Sequence, residues 1–240
     1  MTSTNVSIQS KRQEKSTSSS ATKTDNEKTK VLQLHEVNVT EYLLQLDIEL
    51  SEKLSFFATK DSSSWRYLLV LLEISGHGVP WIAAAVLGVL ITRGTSQQFA
   101  CNMLLGLLLD LIVVGTFKVV FRRKRPIYNE KDMFATVSVD QYSFPSGHST
   151  RAAMVAGIIG TYVTNQTNMV LVFLWAVCVA SSRVLLGRHH IFDVIFGVVI
   201  GLAQFGVIMV VWLPEQLCHS IKQSLYSLVT NLNHNSLEAS

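Results

Sequence analysis

The sequence is poor in charged residues for its length. Only 15% of its 240 residues are charged, whereas soluble domains carry about a quarter. Because 48% of the residues are hydrophobic and many of them lie in long apolar runs, the sequence indicates a membrane protein rather than an ordinary soluble domain. The formal net charge of +3 is too small to indicate a nucleic-acid-binding protein.

Cysteine is also scarce, and its spacing excludes two kinds of site. The three cysteines, Cys101, Cys178 and Cys218, lie far apart in or near apolar runs. They therefore have neither the paired spacing of a disulfide framework nor that of a metal site. We interpret them as small, buried apolar residues.

The first part of the chain lacks both aromatic residues and an apolar segment. Residues 1–30 are rich in Ser, Thr, Lys, Asn and Gln, so we expect a disordered tail without a secretory signal peptide. Residues 31–64 mix apolar and charged positions, which predicts an amphipathic interfacial segment; a soluble helix packed on the membrane domain is the alternative. We predict a membrane domain over residues 65–213 and a polar C-terminal tail over residues 214–240.

The fold expected from these patterns is all-α, a polytopic transmembrane bundle of about five to six helices. Since about 20 apolar residues cross a bilayer, the candidate spans are residues 67–92, 100–121, 147–165, 168–186 and 190–213. Successive spans cross the membrane in alternating directions. One membrane face therefore receives the end of the second span, the start of the third, the end of the fourth and the start of the fifth. The polar motifs of the membrane domain fall at those same places.

Basic residues at this rim predict an anion site. Lys118, Arg125 and Arg183 provide cations, and arginine presents a planar fork that matches phosphate oxygens. Ser146 and Gly147 stand in a turn that opens a helix, where backbone N–H groups attract anions. The alternative is that the basic loop is only a topology signal or a head-group contact.

Two histidines at the same rim predict nucleophilic chemistry. Asp193 lies four residues after His189, so its carboxylate can orient the imidazole and leave the other nitrogen unprotonated for attack. His148 is expected to be the general acid that protonates the leaving group. We interpret the remaining polar groups of this junction, Arg188 and His190, as bystanders.

Three sequence stretches resemble the signature motifs of the type 2 phosphatidic acid phosphatase superfamily, which includes lipid phosphate phosphatases. They are Lys118-x6-Arg125-Pro126, Pro145-Ser146-Gly147-His148 and Ser182-Arg183-x5-His189-x3-Asp193. The resemblance covers roughly residues 72–213. It implies a phosphatase whose phosphohistidine forms on His189, with His148 as acid and Asp193 orienting His189. The phosphate-binding residues that it implies are Lys118, Arg125, Ser146, Gly147 and Arg183.

Sequence stretches outside the signature motifs are similar to one branch of this superfamily, the polyisoprenoid diphosphate/phosphate phosphohydrolases of the presqualene diphosphate phosphatase type. The stretches that carry it are residues 72–78, 132–134, 142–144 and 150–153. This resemblance implies farnesyl, geranylgeranyl or presqualene diphosphate as substrate. It also implies a multi-pass protein of an endoplasmic reticulum or nuclear-envelope membrane.

Polar residues inside the spans need partners, because a charge at the bilayer centre costs about 2.5 to 3.5 kcal/mol. Arg151 stands one helical turn beyond His148, and we hypothesise that it contacts the second phosphate of a diphosphate; snorkelling to head groups is the alternative. We interpret Asp110 and the pair of Glu73 and His77, four residues apart, as structural; a gate or a substrate channel is the alternative.

The sequence therefore predicts a phosphoric ester or diphosphate hydrolase that needs no metal and no cofactor. Its expected partners are the lipid bilayer and a lipid phosphate substrate, with no nucleic acid. The alternatives are a phosphatidic acid or sphingoid phosphate phosphatase, and a non-catalytic membrane protein that binds lipid phosphate. A haloperoxidase would use a similar oxyanion cage, but the apolar spans argue against it. The positive-inside rule favours a cytosolic site, whereas the superfamily's lipid phosphatases usually place it on the other side.

Overall fold

The computed structural model of the protein describes residues 39–55, 64–126 and 141–238. The tail predicted over residues 1–30 therefore lies outside the described residues, as do parts of the amphipathic segment. Contacts divide the chain into two units, Met1–Asp47 and Ile48–Ser240. The described residues of the first unit are helical.

Regular structure in the described residues consists of helices. The first, α1, covers residues 39–54. The others are α2 Ser64–Ser75, α3 Gly78–Ile91, α4 Gly94–Phe121, α5 Gly147–Tyr162, α6 Gln166–Leu185, α7 Ile191–Val210 and α8 Glu215–Glu238. The all-α fold expected from the sequence is confirmed.

Three of these helices, α4, α6 and α7, are long and apolar enough to cross a membrane. α2 and α3 pass the same test as a pair, bent by 43° at the break between them, at the place where Gly76 and Gly78 interrupt the first predicted span. The described residues thus hold three or four candidate spans, fewer than the five to six that the sequence predicted. The difference falls on α5, whose 16 residues are fewer than the roughly 20 that a span needs.

α5 is the central helix of the bundle, and small residues let α7 approach it closely. A Cβ added at Gly197 would lie 2.9 Å from the carbonyl oxygen of Ser146. A Cβ at Gly201 would clash with the carbonyl oxygen of Thr150. Gly197 and Gly201 are four residues apart, which is the spacing that brings membrane helices into backbone contact. This packing fixes the first turn of α5 against the first turns of α7.

Apolar side chains also cover the outside of the bundle. Only 28% to 33% of the most apolar window of each spanning helix is buried inside the protein. Large hydrophobic residues such as Ile112, Val177 and Val199 are more than half exposed. Apolar surface on this scale requires a nonpolar solvent, so the protein is embedded in a lipid bilayer.

The C-terminal segment, interpreted from the sequence as a polar tail, is a helix of 24 residues, α8. It packs at the end of the bundle where α4 begins. Lys222 donates a hydrogen bond to the carbonyl oxygen of Thr92 at 3.0 Å, and Cys218 is buried beside Cys101. The cysteines are free; Cys101 and Cys218 are buried as expected, whereas Cys178 is half-buried.

Candidate active site

Three chain segments meet at the end of the bundle opposite α8. The first follows α4, the second leads into α5, and the third joins α6 to α7. Lys124 and Tyr142 form an isolated antiparallel bridge, and the amide of Ser143 donates to the carbonyl oxygen of Arg123 at 2.8 Å. The amide of Ser146 donates to the carbonyl oxygen of Asp193 at 3.0 Å. These backbone contacts hold the predicted motifs together at one rim.

The turn between α6 and α7 depends on Gly187. Its φ of 65° lies in the left-handed region that glycine adopts without strain. After this turn the amides of Arg188 and His189 both donate to the carbonyl oxygen of Arg183, at 2.9 and 3.2 Å. These hydrogen bonds therefore fix the backbone of His189 next to that of Arg183.

His189 is buried, with 2% of its surface exposed, and one ring nitrogen is engaged. Its Nδ1 lies 2.7 Å from the carbonyl oxygen of Ser143. A carbonyl oxygen can only accept a hydrogen bond, so Nδ1 carries the proton and Nε2 has the lone pair. This tautomer suits attack by Nε2 on a phosphorus atom.

The charge state of His189 also suits a nucleophile. Burial, together with the nearby cation Arg125, lowers the pKa of His189 from 6.5 to about 3, although Asp193 opposes the shift. The imidazole is consequently neutral at physiological pH. An unprotonated ring nitrogen is the form that nucleophilic attack requires.

Asp193 does not hold His189 in the way that the sequence predicted. Its Oδ2 lies 3.7 Å from His189 Nδ1, too far for a hydrogen bond, so the carbonyl of Ser143 takes that place. The buried carboxylate instead accepts from the amide of His190 at 3.0 Å and pairs with Arg123 at 2.6 Å. Asp193 remains close enough to stabilise a positive charge on His189.

The reason for this difference is the helix start. Asp193 is the third residue of α7 and forms a capping box with His190. A carboxylate at that position satisfies free backbone N–H groups and is favoured by the helix dipole. The capping geometry points the carboxylate at His190, which is therefore not the bystander that the sequence suggested.

The predicted phosphate-binding cations lie around His189. Arg125 donates to the carbonyl oxygen of Arg188 at 3.0 Å, and the charges of Arg125 and Arg183 both act on His189. Arg183 is fully buried, and Lys118, in the last turn of α4, is 4% exposed. Buried cations attract an anion strongly because little water screens them.

His148 lies in the first turn of α5, against the break between α2 and α3. A Cβ added at Gly76 would lie 3.2 Å from its Cδ2 atom and 2.7 Å from Cγ1 of Val179, so glycine lets the break approach both α5 and α6. The rings of His77 and His148 are 6.0 Å apart. Within the described part of the chain, His148 Nε2 is buried and has no hydrogen-bond partner. A donor in that position is suited to protonate a leaving oxygen.

Glu73 and Arg188 belong to the same site, contrary to the interpretation of the sequence. Glu73 pairs with Arg183 at 3.2 Å and with Arg188 at 3.5 Å, rather than with His77. Arg188 is 1% exposed, so it is a buried charge with a defined partner. The cause is the helix pairing, since α2 packs along α6 and brings its carboxylate to the end of α6.

Arg151, the hypothesised second-phosphate contact, has protein partners. Its Nη2 lies 2.8 Å from Asp110 Oδ2, and its Nη1 donates to the carbonyl oxygen of Gly76 at 3.1 Å. Its guanidinium also lies 3.0 Å from where a Cβ of Gly78 would stand. These contacts favour a structural role, linking α5 to α4 and to the α2–α3 break. The role in binding a second phosphate stays a prediction.

Sequence reasoning missed two contributors. Arg123 pairs with Asp193, but nothing in the sequence distinguishes it from its basic neighbours. Ser143 contributes a backbone carbonyl, which no side-chain pattern can indicate. The described residues contain no group of three or more His, Cys, Asp or Glu side chains arranged to hold a metal ion.

The fold and this rim define the class: a membrane-embedded helical bundle with a cationic, histidine-containing site at one end. Comparison with known proteins gives the family. The sequence model of the PAP2 superfamily, the type 2 phosphatidic acid phosphatases, matches residues 99–216. The chain contains a PAP2 superfamily domain, and the superfamily resemblance is confirmed.

Two relatives by sequence are described as phosphatases. A probable lipid phosphate phosphatase beta of Arabidopsis thaliana is 38% identical over 134 residues, which are 45% of this chain and 63% of the relative. Phosphatidylglycerophosphatase B of Bacillus subtilis is 34% identical over 114 residues, 41% of this chain and 54% of the relative. The matched stretches thus span less than two thirds of either relative.

Two solved structures share the fold. A transmembrane PAP2 type phosphatidylglycerolphosphate phosphatase from Bacillus subtilis aligns with a TM-score of 0.57 at 24% identity, over 70% of this chain and 85% of that one. Aquifex aeolicus LpxE aligns with a TM-score of 0.52 at 18% identity, over 66% and 93%. At such identities the likeness establishes the membrane fold alone.

Proposed function

We propose that the protein is a membrane-embedded, metal-independent phosphatase of lipid phosphates that acts through a phosphohistidine on His189. The observation that carries this proposal is the state of His189. Its Nδ1 is held by the carbonyl of Ser143 at 2.7 Å, and its surroundings keep the ring neutral between cations. The relatives named above support the same class of reaction.

The proposed reaction has two steps. His189 Nε2 attacks the terminal phosphorus, and the bond from that phosphorus to the leaving oxygen breaks, which is the bridging oxygen of a diphosphate or the lipid oxygen of a monophosphate. His148 gives its Nε2 proton to that oxygen. Water then attacks the phosphohistidine, His148 takes up a proton from this water, and inorganic phosphate leaves. Lys118, Arg125, Arg183 and the backbone N–H groups at the start of α5 stabilise the charge on the pentacoordinate phosphorus. The positive charge on His189 during the first step is stabilised by Asp193.

A labelling experiment tests this mechanism. Purified protein is mixed with a lipid diphosphate labelled at its terminal phosphate and quenched in alkali, in which phosphohistidine survives. We expect wild-type protein to retain label and His189→Ala to retain none. His148→Ala should still be labelled, because a phosphate leaving group needs little protonation, but it should lose its label slowly. Full phosphate release by His189→Ala would overturn the mechanism.

For the substrate tail we propose an isoprenoid, from farnesyl, geranylgeranyl or presqualene diphosphate. The stretches that resemble the isoprenoid branch, residues 72–78 and 150–153, supply Gly76, Gly78 and Arg151 at the wall beside His148. An apolar cavity of about 340 Å³ between α3 and α4, whose lining includes Trp81, Met103 and Tyr162, is a candidate site for the tail. Phosphatidic acid or a sphingoid phosphate is the alternative substrate.

The decisive experiment is phosphate release from a panel of isoprenoid, phosphatidic acid, phosphatidylglycerophosphate and sphingoid phosphates, with His189→Ala as the blank. A kcat/KM for isoprenoid diphosphates at least tenfold above the others supports the proposed tail. Equal rates across the panel contradict it. Lipid phosphate binding without turnover of any member would identify a non-catalytic binding protein.

We also propose residence in the endoplasmic reticulum membrane and the nuclear envelope, where isoprenoid lipids are handled, with residues 65–213 as the phosphatase domain. The support is the resemblance to the isoprenoid branch. Microscopy of the tagged full chain tests the location, and a signal confined to another membrane would contradict it.

A further inference from the structure

Glu73 is a buried carboxylate that faces two buried arginines. It is 4% exposed, whereas Arg183 and Arg188 are 0% and 1% exposed. Its Oε1 lies 3.2 Å from Arg183 Nη1 and accepts from Arg183 Nη2 at 3.3 Å. Its Oε2 lies 3.5 Å from Arg188. One carboxylate therefore holds the side-chain ends of both arginines.

The shared carboxylate makes burial of the two arginines tolerable. Both guanidinium groups lie against Glu73 in surroundings that exclude water. Removing a single partner from such a buried pair is strongly destabilising, because it leaves a charge without compensation. Glu73 is therefore needed to keep Arg183 buried and in place.

Tryptophan contacts fix Glu73 relative to Arg183. Trp175, two turns before Arg183 on α6, donates to Ser75 Oγ at 3.0 Å. Trp81 donates to the carbonyl oxygen of Ser75 at 2.8 Å. Because Ser75 is the last residue of α2, these bonds tie the end of that helix to both α3 and α6. The distance between Glu73 and Arg183 is therefore set by the helix packing rather than by loop conformation.

We propose that Glu73 is a positioning residue of the active site, which holds Arg183 in the orientation that binds the phosphate oxygens. This inference rests on the proposed function, since it assigns Glu73 a part in the same reaction. It adds the first half of the broken span, α2, to the elements that build the phosphate site.

The test uses vanadate, which imitates the pentacoordinate phosphorus, and compares variants of the full chain. In Glu73→Gln the side chain keeps its shape but loses its charge, so Arg183 loses its fixed orientation. A misplacement of about 1 Å at such a site can cost about 100-fold, so we expect kcat to fall by that order and vanadate inhibition to weaken at least tenfold. Glu73→Asp, which keeps the charge, should retain more vanadate affinity than Glu73→Gln.

A double variant separates positioning from charge neutralisation. The double variant Glu73→Gln, Arg188→Gln removes one charge of each sign. The fold is protected because no additional buried charge loses its partner, but Arg183 no longer has the carboxylate that orients it. We expect this variant to remain as impaired in vanadate binding as Glu73→Gln. If it regains wild-type vanadate affinity, Glu73 merely neutralises Arg188 and the inference fails.

The stability control is Asn102→Ala, at the opposite end of the bundle, where Asn102 accepts from the amide of Leu213 at 2.8 Å. This change should lower the Tm without changing vanadate affinity. If Glu73→Gln behaves in the same way, its role is structural and the inference fails.

The rise in Tm that vanadate produces gives a readout independent of turnover. If His189→Ala keeps full activity, the proposed function fails, yet the Tm shift still tests whether Glu73 orients Arg183. If His189→Ala is inactive and Glu73→Gln binds vanadate like the wild type, only the inference about Glu73 fails.

Discussion

The buried, neutral state of His189 predicts a specific loss of stability in acid. Its pKa of about 3 in the folded protein lies below the 6.5 of an exposed histidine. Between these values the unfolded chain binds a proton at this residue and the folded protein does not. Stability therefore falls as the pH falls from 6.5 toward 3, with a slope of about 1.4 kcal/mol per pH unit.

The contribution of His189 to this loss of stability can be isolated with one substitution. Lowering the pH from 7 to 5 should remove about 2 kcal/mol through His189 alone. His189→Gln keeps a donor for the carbonyl of Ser143 but cannot titrate, so this contribution should disappear. At about 2 to 4 °C per kcal/mol for a chain of this size, the wild-type Tm should fall about 4 to 8 °C further than that of the variant.

The assay is thermal unfolding of both proteins in one detergent at pH 7 and pH 5. Other titrating groups change the Tm of both proteins, so the quantity to compare is the fall in Tm between pH 7 and pH 5 in each protein. An equal fall in Tm for wild type and His189→Gln would refute the argument that His189 is held neutral by burial and by its neighbouring cations.

Further predictions concern the site and the bundle. Arg123→Gln should lower kcat/KM about tenfold or more, since it removes the 2.6 Å partner of Asp193, and Arg123→Lys should recover part of it in the same assay. Gly201→Ala should destabilise the protein by about 1 to 3 kcal/mol, because the new methyl group meets the carbonyl of Thr150; Gly206→Ala, with nothing within 4 Å of the added atom, is its control in thermal unfolding. Chelators should leave phosphate release unchanged, and a loss of activity restored by a divalent cation would contradict the metal-independent mechanism. The acid limb of kcat/KM should move to higher pH in Arg125→Gln, because that cation lowers the pKa of His189; an unmoved limb would exclude His189 as the titrating group.

The position of the site could be predicted because it follows from hydropathy. Each predicted span, including the one that corresponds to α5, reverses the direction of the chain, so motifs at alternate span ends are expected to share a rim. Lys118 and His189 are 71 positions apart in the sequence, yet the alternation of apolar runs is enough to place both at one end of the bundle. The break between α2 and α3 lies at Gly76 and Gly78, where glycine interrupts an apolar run.

The pairing of charges could not be predicted, because it depends on which helices pack together. The four-residue spacing of Glu73 and His77 indicated a pair within one helix. Packing of α2 along α6 instead gives Glu73 two arginines, Arg183 from the last turn of α6 and Arg188 from the loop that follows it. The spacing of His189 and Asp193 likewise indicated a hydrogen bond that the structure does not contain. The capping geometry of α7 directs the carboxylate of Asp193 to His190, and the backbone carbonyl of Ser143 contacts His189 instead.

Charge pairing across helices also explains how the cations of the proposed phosphate site are held. The described part of the site contains three buried carboxylates, Glu73, Asp110 and Asp193. Each of them pairs with at least one arginine from another part of the chain. The carboxylates thus fix buried arginines that water cannot solvate. Cations fixed in this way before the substrate arrives need no reorganisation during the reaction, which is the property that stabilises charge on a pentacoordinate phosphorus.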